Sequence, residues 1–66
     1  SSHAASPHSD GTIEHVLVTR GDLEVGPSAA PVRLEVGDLA TFAGDHAHTY
    51  RALADETQAV LVLEYP

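Results

Sequence analysis

Residues 8–15, HSDGTIEH, set two imidazoles (His8, His15) and two carboxylates (Asp10, Glu14) around the turn-forming Gly11. A bend at Ser9–Gly11 would bring His8 back over the strand that carries Glu14. Further along, His46 and His48 lie two apart in a segment that reads as extended, where period 2 turns both to one face. Two or three imidazoles and a carboxylate drawn from separate strands form a donor set that first-row divalent metals accept. The same residues also have a plainer reading: His8 in a loose lead-in binds nothing, Glu14 on an outward face is solvated, and His48 is satisfied by Tyr50 or by backbone.

What must position these groups is a run of short strands. Residues 12–19, TIEHVLVT, are rich in β-branched side chains and stop at Arg20-Gly21-Asp22, a turn signal. Alternation puts Glu14, Val16 and Val18 on one face and Ile13, His15 and Leu17 on the other. Residues 23–25, 32–36, 39–43, 46–53 and 58–65 read as further strands, separated by turns at 26–31, 37–38, 44–45 and 54–57. No window offers a helical face. About six short antiparallel strands with frequent turns predict an all-β barrel or sandwich. Residues 1–7, SSHAASP, are unpatterned and read as a flexible or extended arm ahead of a domain at 8–66.

If Glu14 faces inward with Val16 and Val18, a buried carboxylate must be paired, hydrogen-bonded or coordinated. The interior would then be a pocket lined by Val16, Val18, Phe42, Tyr50, Leu61 and Leu63, apolar with a few polar groups, as ligand sites are.

Ten acids against three arginines and no lysine give a net charge of −7, so this segment is not expected to bind nucleic acid. No apolar run approaches the roughly 20 residues of a membrane-spanning helix, and SSHAASPHSD lacks the basic start and apolar core of a signal peptide. With no cysteine, a cytoplasmic location is expected. A 66-residue chain without disulfides is short of core, so a metal or a second copy is the expected staple.

Two stretches resemble the paired motifs of the cupin superfamily. Glu14, six intervening residues and Gly21 match the end of the first motif, with His8 at the place of its first histidine. Gly37 and His48 match the second motif, and the region between the two, 22–36, is short, as in compact bacterial cupins. GTIEHVLV and LVLEYP are similar to C-terminal sensor domains of XRE-type helix-turn-helix regulators. The chain departs from the pattern at Asp10, where a second histidine is usual, at Ala43 and Asp45 in place of Pro and Gly, and at Ala52 in place of Asn.

The resemblance implies a small double-stranded β-helix, or jelly-roll, barrel whose metal ligands would be His8, Glu14 and His48 with Asp10 as a fourth donor. Iron, manganese, nickel or zinc is the implied divalent ion. The function it favours is a non-catalytic domain that senses a small-molecule effector for a transcriptional regulator, working as a homodimer. The alternative is a metal-dependent oxygenase or isomerase of the cupin type, for which the sequence shows no separate acid or base with a clear task.

Overall fold

The computed structural model describes the backbone at residues 2–5 and all atoms of residues 9–66. Seven strands are present: β1 (Ser2–Ala5), β2 (Ile13–Arg20), β3 (Asp22–Pro27), β4 (Val32–Glu35), β5 (Leu39–Ala43), β6 (His48–Ala52) and β7 (Gln58–Glu64). They form two antiparallel sheets, ordered β1-β6-β3-β4 and β5-β2-β7. This is the all-β, antiparallel architecture that the turn spacing predicts. Ser2–Ala5, which no sequence pattern marks, pairs with β6 from Ser2 opposite Arg51 to Ala5 opposite His48.

The core lies between the sheets. Val16 and Val18 of β2 meet Leu23 and Val25 of β3 and Leu34 of β4, all 7% exposed or less, with Ala40, Phe42, Tyr50 and Ala59 packed around them. Strict alternation on β2 produces its inward row, since a one-residue slip would turn Val16 and Val18 to water. Burying a valine of this kind stabilises the fold by about 1.5–3 kcal/mol.

Two turns differ from their reading in the sequence. His46 is not in the strand that holds His48: the 44–45 turn runs on through it, β6 starts only at His48, and the His46 side chain is exposed beside Asp45. Asp45, standing where a glycine was expected to be needed, does not adopt a left-handed backbone; among the described non-glycine residues only Glu56 has a positive φ. Asp45 serves instead as a clamp, because its Oδ2 accepts the Gly11 N–H at 2.9 Å and so ties the 44–45 turn to the 9–11 turn.

On the outer face of the three-stranded sheet, His15 spans all three strands. Its Nδ1 lies 2.9 Å from Thr41 Oγ1 on β5, and its Nε2 pairs with the Glu64 carboxylate on β7. Around this polar group the face is apolar, with Leu39, Leu17 and Val60 in one row across the strands and Val62 beside His15. No helix among the described residues is long and apolar enough to cross a membrane.

The β3–β4 hairpin is closed by a bidentate pair in which Arg33 donates from Nε to Asp22 Oδ1 at 3.1 Å and from Nη2 to Oδ2 at 2.8 Å. These hydrogen bonds, then the nearby guanidinium charge, hold the Asp22 carboxyl below its ordinary value, and Asp22 raises Arg33 in return. A depressed acid contributes stability that is present above its unfolded-state value and is lost as pH falls through the lowered folded-state value. Arg33→Gln should therefore return the Asp22 carboxyl titration, followed by NMR, to the ordinary carboxylate range and flatten that part of the acid limb. An unchanged Asp22 titration would show that Arg33 is not the cause.

Candidate functional site

Glu14 sits on β2 of the three-stranded sheet, opposite Phe42 of β5 and Leu63 of β7. His48 opens β6 of the other sheet, opposite Pro27 of β3. Both side chains turn into the space between the sheets, where His48 Nε2 and Glu14 Oε2 are 3.4 Å apart and each side chain is 1% exposed. One ion pair thus bridges the two layers at one end of the core.

Local backbone fixes how His48 presents itself. Its Nδ1 is 2.8 Å from the His46 carbonyl oxygen. A carbonyl can only accept, so Nδ1 carries a hydrogen and donates, which leaves Nε2 as the nitrogen turned toward Glu14. The extended 44–46 turn makes this possible, because it directs the His46 carbonyl back onto the ring two residues later. Aromatic rings complete the shell: Phe42 and Tyr50 each lie 5.7 Å from the His48 ring, the first tilted by 54° and the second edge-on at 84°.

Thr12 is a third buried polar residue, 0% exposed, two positions before Glu14. Its hydroxyl has no hydrogen-bond partner among the described residues. The sequence reading takes it as the start of a strand and misses it as part of the interior; continuing the alternation of Glu14, Val16 and Val18 one step backwards would have found it. A buried hydroxyl left unmatched costs about 1–3 kcal/mol, which points to a group that this interior is shaped to receive.

The other expected site residues are placed as follows. Val16 and Val18 are buried in the core, and Phe42 and Tyr50 are half-buried against it. Leu61 and Leu63 are opposite Val16 and Glu14 and share their inward side, but Leu61 is 48% exposed because β7 is the last strand of its sheet. Asp10 is an exposed turn residue. His8 lies outside the described residues. Among those described, no three His, Cys, Asp or Glu side chains converge as a metal-binding group would require. Glu14 and His48 supply one oxygen and one nitrogen donor, part of the set implied by the cupin motifs, and no chemistry through a metal is derived from two donors.

A two-sheet β barrel with an acid from one sheet facing an imidazole from the other inside an apolar shell is a compact jelly-roll binding barrel. Over its whole length the chain is similar to the crystal structure, at 1.9 Å, of the Cupin_2 domain of an XRE family transcriptional regulator from Enterobacter cloacae. The TM-score is 0.91, the identity is 31%, and 70% of that chain is covered. The chain therefore belongs to the cupin superfamily. It is also similar to an HTH_3 family transcriptional regulator from Vibrio cholerae, with a TM-score of 0.95 and 27% identity, and spans 37% of that longer chain. No family profile matches the sequence, and no curated protein matches it.

Proposed function

We propose that this chain is the effector-binding cupin domain of a cytoplasmic transcriptional regulator and that it acts by binding a small molecule rather than by catalysis. The observation that carries the reading is the fully buried Glu14–His48 pair between the sheets. Taking two ionisable groups out of water is expensive, and well-packed apolar residues would hold such a core at least as firmly. Their retention in so small a domain is accounted for by recognition of a ligand, with the unmatched Thr12 hydroxyl as a further polar contact. Two similar proteins that are transcriptional regulators support the setting.

Native mass spectrometry of chain purified under mild conditions, followed by thermal-shift screening of small metabolites, tests this. A molecule at 100 times its Kd stabilises the folded state by about 2.7 kcal/mol, which in a domain of this size raises Tm by roughly 10 °C or more. That shift should vanish in Glu14→Gln. If the chain carries no small molecule and nothing in the screen moves its Tm, the sensing reading is wrong.

A second reading has one observation in its favour. Hydrogen bonding of one ring nitrogen to a carbonyl, as His48 Nδ1 makes with His46, is how ligating imidazoles are held in place. In that reading Glu14 and His48, with His8 and Asp10, hold iron, manganese, nickel or zinc. Elemental analysis decides it: near one metal per chain, lost in His48→Gln, supports the metal, and metal far below one per chain removes it.

A further inference from the structure

We propose that two copies of this chain join through β7, strand against strand, in a two-fold antiparallel pair centred on Leu61. The inference does not depend on what occupies the interior.

Among the described residues β7 has one sheet neighbour, β2, so its other edge offers unpaired backbone N–H and C=O groups. Both of its faces are apolar and open: Val60, Leu61 and Val62 are 51%, 48% and 51% exposed. Edge strands are usually guarded by a lysine, a proline or a charge, and between Gln58 and Glu64 there is none, only Ala-Val-Leu-Val-Leu. The opposite edge of the same sheet, β5, differs, because it also packs against β3 and β4 of the facing sheet.

The identity of the occupant follows from the order of residues in the strand. Read from either end, Gln58–Glu64 is close to symmetric about Leu61. In a two-fold antiparallel pair Leu61 meets its own copy, Val60 meets Val62, Ala59 meets Leu63, and Gln58 meets Glu64. Every apolar residue faces an apolar one. The terminal pair sets an amide against a carboxylate, which suits an N–H donor and an oxygen acceptor. Charge argues for the same alignment: a chain of net charge −7 repels its copy, and this arrangement puts the two Glu64 carboxylates at opposite ends of the interface, whereas a parallel in-register pair would set them side by side. Joined in this way, Val60 and Val62 of both copies form one cluster on the outer face, beside Leu17, and Leu61 is covered on the inner side.

The chain contains no cysteine, so single-cysteine variants report the alignment directly. Directly opposed residues come within disulfide reach, whereas position 59 would be about 13 Å from its own copy, four residues out of register. Leu61→Cys should oxidise to a covalent dimer, and Ala59→Cys should do so at least roughly tenfold more slowly. The unmodified chain should show twice its 6.9 kDa mass by light scattering. Val62→Lys, at a half-exposed position, should keep the fold by circular dichroism and run as a monomer. A parent chain that stays monomeric at every concentration overturns the proposal. So does a dimer that survives Val62→Lys, or one that cross-links equally well from 59 and 61.

Discussion

His48→Ala is expected to lower stability by about 3–5 kcal/mol, most of what a domain of this length possesses. The cause is the stranded partner. Glu14, 1% exposed and on the opposite sheet, would lose the imidazole 3.4 Å away while staying shut off from water. The missing ring would also open a void between Phe42 and Tyr50. A double variant separates these effects. Glu14→Leu with His48→Leu removes both ionisable groups and refills the space, and it should recover stability to within roughly 1–2 kcal/mol of the parent or surpass it. The same double variant should fail to bind whatever the interior receives. Urea unfolding of the parent, both single variants and the double yields the coupling energy. A loss below about 1 kcal/mol for His48→Ala would mean that the pair is not closed off in solution.

Gly21→Ala should be nearly as damaging, by a different route. Gly21 has φ +81°, a left-handed backbone, and a β-carbon added there would sit 2.5 Å from Thr57 Oγ1 and 2.9 Å from Thr57 Cα. The backbone atom cannot swing aside as a side chain could. The Thr57 hydroxyl is also engaged, accepting the Asp22 N–H at 3.3 Å and lying within hydrogen-bonding distance of the Asp22 and Ala54 carbonyl oxygens. Left-handed strain alone accounts for about 1–2 kcal/mol; with the collision the expected loss is roughly 3 kcal/mol or more. Gly37 provides the control, with φ +90° and nothing within 4 Å of an added β-carbon. Gly37→Ala should lose only the strain contribution. Equal losses at the two positions, measured by thermal unfolding, would show that contact with Thr57 is not what demands glycine at 21.

Much of this was legible before the coordinates, because period 2 is a strong constraint. Glu14 shares its parity with Val16 and Val18, and a strand that buries two valines must bury the acid between its turn and those valines. Parity names a face and not a partner, so nothing in the spacing of Glu14 and His48 stated that they would meet from different sheets. His46 was misjudged because alternation was run straight out of the Gly44-Asp45 turn; a turn's length is set by its hydrogen bonds, here the His46 carbonyl held by His48 Nδ1. The inward parity of Leu61 was readable and its exposure was not, since exposure depends on whether a further strand lies alongside. The pairing of Ser2–Ala5 with β6 is carried by backbone groups, which every residue type except proline supplies alike.

The His15 clasp on the outer face has a consequence for how the three-stranded sheet assembles. Leucines and valines are interchangeable as neighbours, so rows such as Leu39, Leu17 and Val60 would tolerate β5 or β7 sliding along β2 by two places. One imidazole that must touch a hydroxyl on its left and a carboxylate on its right tolerates no such shift. Thr41 and Glu64 work like the two wards of a lock, and His15 is the key that turns only when both flanking strands have stopped at the same notch.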